Sequence, residues 1–78
     1  MEELIKKAQN ENLVIFIDAK NNLFSKYNET IIREIKYFCS KSKYDKENKS
    51  WKLVDTSEYQ GKADMIKILE KKGFTFLN

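Results

Sequence analysis

The sequence predicts an α+β fold in one domain, residues 1–78, built on a small antiparallel sheet of about five short strands. A short apolar run at 13–17 is rich in β-branched residues, which favours a strand. Two longer stretches, 28–39 and 57–72, repeat apolar residues at helical spacing, and residues 43–52 alternate around a polar turn. We therefore expect the two longer helices to pack on one face of the sheet, in addition to a short N-terminal helix.

Local patterns predict the N-terminal helix and the first two strands. Three apolar residues of segment 2–9 fall at helical spacing: Leu4, Ile5 and Ala8. The run at 13–17 is bounded by polar residues and predicts a buried strand. Residues 18–22 are typical of a turn, so residues 23–24 are expected to return antiparallel to the first strand.

The first long helix is expected to begin after Asn28, a favourable N-cap, with Glu29 complementing the helix dipole in the first turn. Its spacing turns four residues toward the core: Ile31, Ile35, Phe38 and Cys39. The opposite face carries polar and aromatic side chains: Glu29, Arg33, Lys36 and Tyr37.

A basic hairpin follows this helix. A four-residue turn at 46–49 would pair three sets of residues across the strands: Asp45 with Ser50, Tyr44 with Trp51, and Lys43 with Lys52. Tyr44, Trp51 and Leu53 then share one face, and we expect these rings to turn inward. The lysines lie on the other face. There they either bind an anion or remain solvated and prevent the sheet edge from pairing with other chains.

The second long helix and the last strand complete the prediction. Ser57 followed by Gln60 is a capping-box pattern, and Gly73 is expected to end the helix after about Lys72. The residues predicted to face inward are Ala63, Met65, Ile66 and Leu69. Residues 74–76 alternate and predict a last short strand.

Composition narrows the classes of function. Histidine is absent, which removes the commonest general base and the commonest metal ligand, so we expect no enzyme and no cofactor or metal. The single Cys39 cannot close an internal disulfide and favours a reducing compartment, the cytoplasm or the nucleus. No apolar run reaches the length of a membrane span, and the acidic start does not resemble a signal peptide, so we expect neither membrane association nor secretion.

Positive charge is concentrated in the middle of the chain. From Lys20 to Lys52 there are nine basic and four acidic residues, whereas the rest of the chain has more acids than bases. A basic centre between acidic flanks predicts an anionic partner. The candidate nucleic-acid-binding residues lie on the outer face of the first long helix and on the hairpin: Arg33, Lys36, Tyr37, Lys43, Lys46, Lys49 and Lys52. Tyr37 is the ring expected to be free for stacking, and Trp51 is expected in the core.

An enzymatic alternative is weakly encoded. Asp18 with Glu34 and Lys36 loosely resembles a metal-dependent nuclease pattern, but the last two lie within a predicted helix. Gly61 and Lys62 lack the spacing of a phosphate-binding loop, so ATP hydrolysis is not expected.

A group of spaced residues resembles a known family. The pattern runs through Phe24, Tyr27, Ile31, Ile35, Lys36, Tyr44, Asp45, Lys49, Trp51, Leu53 and Tyr59. In this pattern the chain is similar to the HARP domain, an accessory module of annealing helicases in the SWI/SNF-related group. The resemblance implies a DNA-binding module that recognises branched or fork structures beside an ATPase motor. No motor is present in these 78 residues, so the chain is either a domain of a longer protein or a free-standing relative.

The sequence therefore predicts a small nucleic-acid-binding accessory module. DNA with single-strand or junction character is favoured over RNA, with a helicase or another protein as a possible further partner. The alternative is a protein-interaction module, for example a small phage or plasmid protein that docks on a host protein or self-associates through the sheet at residues 13–17. The sequence leaves the oligomeric state open.

Overall fold

The computed structural model of the protein describes residues 1–55 and 61–78. Its elements in chain order are α1 (Glu2–Asn10), β1 (Val14–Ile17), β2 (Asn22–Phe24), α2 (Glu29–Phe38), β3 (Lys43–Asp45), β4 (Ser50–Lys52), α3 (Gly61–Lys71) and β5 (Thr75–Leu77). The α+β class and the order of elements are confirmed. Leu13 precedes β1 instead of opening it, because its φ of 65° is not a strand conformation.

The strands form one five-stranded sheet in the order β3-β4-β2-β1-β5. Neighbouring strands are antiparallel except β1 and β5, which pair in parallel. The predicted antiparallel sheet is therefore mixed at one edge. The direction of β5 is set by α3, which returns the chain across the sheet, and a parallel pair needs such a crossover. Nothing in the short pattern of β5 itself encodes that direction.

Both faces of the sheet are covered, by different helices. Ile15 and Leu23 join the buried side chains of α2 and α3 in the main core. Their neighbours Phe16 and Phe24 point to the other face and pack with Ala8 of α1. The two longer helices therefore lie on one face, as expected, and α1 covers the other face. The physical reason is that β1 is apolar on both faces and each face requires a cover.

The N-cap predicted for α2 is confirmed. The Asn28 Oδ1 atom accepts hydrogen bonds from the backbone N–H of Thr30 at 2.8 Å and of Ile31 at 3.4 Å. Ile31, Ile35 and Cys39 are buried as predicted, and Phe38 is half-buried. The predicted outer face of α2 is exposed, so this helix presents its basic side to solvent.

The same helix has one charged residue in its buried stripe. Glu34 accepts a hydrogen bond from the Lys72 ammonium at 2.7 Å, which forms an ion pair between α2 and the end of α3. Glu34 is buried between apolar positions of the stripe, where a polar side chain without a partner would be destabilising, and Lys72 supplies that partner.

Helix α3 buries a narrower stripe than predicted. Met65 and Leu69 are buried and Ile66 is half-buried, as expected, but Ala63 is exposed. Ala63 lies two residues before Met65, about 200° around the helix from it, so both cannot face the core. The capping-box residues predicted at Ser57 and Gln60 lie outside the described residues.

Glycines control both ends of the described α3. Gly73, with a φ of 101°, donates to the carbonyl of Glu70, and Phe74 donates to that of Leu69. This pair of bonds is the Schellman motif, which confirms the predicted helix end. At the other end, a Cβ added to Gly61 would overlap the carbonyl oxygen of Phe38. Glycine at this position lets α3 approach the end of α2 closely.

In the described ranges, none of the helices combines the length and the apolar character that a membrane crossing requires.

Candidate nucleic-acid interface

The basic hairpin forms in the predicted register. Lys43 pairs with Lys52, and the two neighbouring pairs are Tyr44 with Trp51 and Asp45 with Ser50. The carboxylate of Asp45 closes the turn by accepting from the Asn48 side chain at 2.8 Å and from the Glu47 N–H at 3.0 Å. The hydrogen bonds from the side chain and backbone of Asn48 lower the pKa of the Asp45 carboxyl. The turn is therefore held by a group that is charged at neutral pH.

A groove of about 610 Å³ lies between α2 and this hairpin. We call it the α2–hairpin groove. Its lining residues are three lysines (Lys26, Lys36, Lys49), three aromatic residues (Tyr27, Tyr44, Trp51), two aliphatic residues (Leu23, Ile32) and four neutral polar residues (Gln9, Asn10, Ser25, Asn28). The groove volume is within the range of sites for small organic ligands.

The charge in the groove is unbalanced. No aspartate or glutamate is among its lining residues. Within residues 1–55 and 61–78, the single ion pair is that between Lys72 and Glu34, so the groove lysines have no carboxylate partner in that part of the chain. Three ammonium groups around one concave surface produce a positive potential that attracts an anion.

The aromatic residues of the groove are exposed to different degrees. Tyr27 is 77% exposed and Tyr44 is 50% exposed, whereas Trp51 is half-buried with part of its surface against the main core. The expectation that the hairpin rings turn inward is therefore wrong for Tyr44 and only partly right for Trp51. The reason is that β3 is an edge strand, and none of its residues belongs to the two described cores.

The predicted binding residues do not form one continuous face. Lys36 and Lys49 line the groove. Arg33 and Tyr37 are exposed on the neighbouring stripe of α2, outside the groove, and Lys46 is exposed in the hairpin turn.

Lys43 and Lys52 project from the opposite face of the sheet. They alternate with Tyr44 and Trp51 along their strands, and Trp51 pairs with Leu23, whose side chain faces α2. Successive side chains of a strand point to opposite faces, so both lysines face the α1 side of the sheet. These two cations are exposed and separate from the groove.

Sequence reasoning missed part of the groove. Lys26 and Tyr27 follow β2 and were not among the predicted residues, although a basic residue beside a tyrosine is the combination that identified the rest. Their loop is brought to the hairpin because β2 and β4 are antiparallel neighbours, so the end of β2 lies beside the start of β4. Non-local pairing of this kind is not visible in local periodicity.

One groove lysine has an unusual backbone conformation. Lys49 has a φ of 51°, in the left-handed region where glycine or asparagine is favoured. A lysine in this conformation costs about 1–2 kcal/mol relative to an ordinary φ. Strained residues concentrate at functional sites, which makes Lys49 a residue to test.

The two carboxylates of the nuclease alternative have structural roles. The Asp18 carboxylate accepts from the backbone N–H groups of Lys20 and Asn22, each at 2.9 Å, and closes the turn between β1 and β2. Although burial opposes it, hydrogen bonding by Asn22 lowers the pKa of this carboxyl. Glu34 is paired with Lys72. In the part of the chain that the structure describes, no group of three potential metal ligands is found.

Cys39 is fully buried beside α3. Burial raises the pKa of its thiol, and the nearby Asp55 charge raises it further. A buried, protonated thiol is a poor nucleophile, so this cysteine acts as a small core residue.

Comparisons with known proteins give no family assignment. Protein-family models, curated proteins and solved structures were compared with this chain, and none of them matches it. The resemblance to the HARP domain therefore depends on the spaced residues alone, and function has to be inferred from the site.

Proposed function

We propose that the protein is a nucleic-acid-binding accessory module, without catalytic activity of its own, that holds single-stranded DNA or the single-stranded part of a junction. The observation that supports this most directly is the α2–hairpin groove, where Lys26, Lys36 and Lys49 surround aromatic side chains without any acidic neighbour in the lining.

The chemistry of the groove suits a phosphate backbone. Lysine ammonium groups contact phosphate oxygens without reading sequence, and each contact releases a counterion from the nucleic acid. Aromatic rings beside those cations are typical of proteins that bind single strands, because every base offers a face for stacking. Arg33 and Lys46 are exposed and each lies three residues along the chain from a groove lysine, so they add positive charge beside the groove.

The resemblance to the HARP domain is in agreement with this proposal. It adds the expectation of a helicase partner in the cytoplasm or nucleus. DNA is favoured over RNA on the same basis. Lys43 and Lys52 are not needed for binding in the groove because they lie on the other face of the sheet.

The experiment is a titration of labelled single-stranded, duplex and forked DNA, followed by fluorescence anisotropy at about 50 and 200 mM salt, the range in which phosphate contacts change affinity steeply. If each groove lysine neutralises one phosphate, log K falls against log salt with a slope of about −2 for a single strand. The double variant Lys36→Ala, Lys49→Ala should reduce the slope to about −0.7. No binding to any of the three DNAs at the lower salt would refute the proposal.

A matched control separates a local effect from the loss of net charge. Lys67 and Lys71 are exposed on α3, outside the groove, and their replacement by alanine removes the same charge. The control variant should keep the slope of the unaltered protein. An equal loss in both double variants would mean that binding follows net charge and not the groove.

The competing proposal is a protein-interaction module. Exposed tyrosines favour it, because Tyr27, Tyr37 and Tyr44 are of the residue type enriched at protein interfaces. The two edges of β1 already pair with β2 and β5, so β1 has no free edge for a further strand. A sheet-mediated dimer would have to use β3 or β5, and gel filtration over a range of concentrations detects it.

A further inference from the structure

We propose that the α2–hairpin groove binds one unpaired nucleotide, with its base stacked on one ring of the Tyr44–Trp51 pair and in contact with the other, and with its phosphates held by the groove lysines. This inference rests on the proposed function and specifies what the groove recognises: the face of a base, in addition to the charge of the backbone. A duplex, in which both faces of each base are already stacked, cannot offer this contact.

The first support is the geometry of the two rings. The centroids of Tyr44 and Trp51 are 5.5 Å apart and their planes are inclined by 61°. In such an edge-to-face pair, the ring that presents its edge keeps its own faces free of its partner, and both rings line the groove. The aromatic pair on the other side of the sheet is different: Phe16 and Phe24 are stacked at 22° and buried under α1.

The second support is that Trp51 is anchored. One part of the side chain packs against the main core while another part lines the groove. Its backbone is held on both sides, because Trp51 pairs with Leu23 of β2 and with Tyr44 of β3. A ring fixed by packing and by two strand neighbours loses little freedom on binding, which favours affinity for a flat ligand.

The third support is the combination of charges and rings. Lys36 reaches the groove from α2 and Lys49 from the hairpin turn, so cations approach the ring pair from two sides. A hydrophobic peptide would gain nothing from three unpaired ammonium groups, and a simple anion would gain nothing from the rings. A nucleotide carries an aromatic base and a phosphate on one short scaffold and satisfies both.

The test compares two decamers of equal charge, a thymidine oligonucleotide and the same backbone without bases. Binding is measured by anisotropy, and Trp51, the single tryptophan of the chain, reports base contact through its fluorescence. We expect the oligonucleotide with bases to bind about 5- to 140-fold more tightly per stacked base and to quench Trp51 emission. Equal affinities, or Trp51 emission unchanged at saturation, would overturn this inference and leave the proposed function standing.

Failure of both decamers to bind would instead refute the proposed function itself. The variant Tyr44→Leu should remove most of the difference between the decamers while leaving the salt dependence unchanged. Tyr44 belongs to neither described core, so this variant is expected to fold. Tyr37→Leu distinguishes the groove from the outer face of α2, because Tyr37, the stacking ring predicted from the sequence, is exposed outside the groove. If the base stacks in the groove, this variant should retain the full difference. Retention of the difference in Tyr44→Leu would overturn the stacking proposal.

Discussion

Replacement of Lys49 by glycine should change stability and binding in opposite directions. The φ of 51° at Lys49 costs a lysine about 1–2 kcal/mol, and glycine adopts it without that cost. The glycine variant also has a more flexible unfolded chain, which lowers the free energy of unfolding by about 0.5–1 kcal/mol. The net expectation is an increase of about 0–1.5 kcal/mol in the free energy of unfolding. For a domain of this size, each kcal/mol raises Tm by about 4–8 °C.

Binding should weaken in the same variant. Lys49 lines the groove, so its loss removes one of three ammonium groups there. If it contacts one phosphate, the salt slope for single-stranded DNA becomes less steep by about 0.7. A variant that is more stable but binds less well cannot be explained by partial unfolding.

The assays are thermal unfolding followed by circular dichroism and anisotropy with a single strand. Lys46→Gly is the control for stability, because Lys46 lies in the same turn without a positive φ and should only incur the cost of flexibility. A decrease of Tm in Lys49→Gly as large as that in Lys46→Gly would refute the strain argument. An unchanged salt slope would refute the placement of a phosphate beside Lys49.

Three further predictions concern the fold and the hairpin. Gly61→Ala should destabilise the protein by about 1–3 kcal/mol in chemical denaturation, since its Cβ would overlap the Phe38 carbonyl; an unchanged midpoint would contradict the close approach of the helices. Lys43→Glu should stabilise the hairpin by about 0.2–1 kcal/mol, because it replaces a like-charge pair with Lys52 by an opposite-charge pair, and it should leave the base-dependent difference in binding intact. Because the pKa of Asp45 is lowered, its stabilising effect is complete above about pH 4 and is lost as the pH falls through the lowered value. Asp45→Asn should flatten that part of a Tm-against-pH profile, and an unaltered profile would show that another group controls it.

Local chemistry made three features predictable: the hairpin, the start of α2 and the end of α3. The register of the hairpin followed from alternation and from a four-residue turn closed by Asp45. Asn28 and Gly73 are residue types whose capping roles depend only on the neighbouring backbone. Such features depend on residues a few positions apart, which a sequence displays directly.

Arrangement between distant elements was harder to predict. The parallel position of β5 and the placement of α1 on the second face depend on how the chain crosses the sheet. One signal for α1 was present: β1 is apolar at consecutive positions, and a strand with two apolar faces needs cover on both. The groove was missed because Lys26 and Tyr27 reach Lys49 only through the pairing of β2 with β4.

The position of β3 explains why a groove exists beside the hairpin. β3 is the edge strand on this side of the sheet, and none of its residues belongs to either described core, so the hairpin leaves a concave surface next to α2. The cations on the two faces of the sheet near the hairpin differ in their surroundings. Lys43 and Lys52 repel each other on the α1 side, outside the α2–hairpin groove, which suits protection of a sheet edge. Lys36 and Lys49 meet aromatic rings in a concave surface, which suits a ligand. From the sequence, edge protection and anion binding were equal interpretations of the basic hairpin, and we expect each of them to apply to one face. Variants of Lys43 should therefore change the free energy of unfolding more than the affinity for DNA, and variants of Lys36 should change the affinity more.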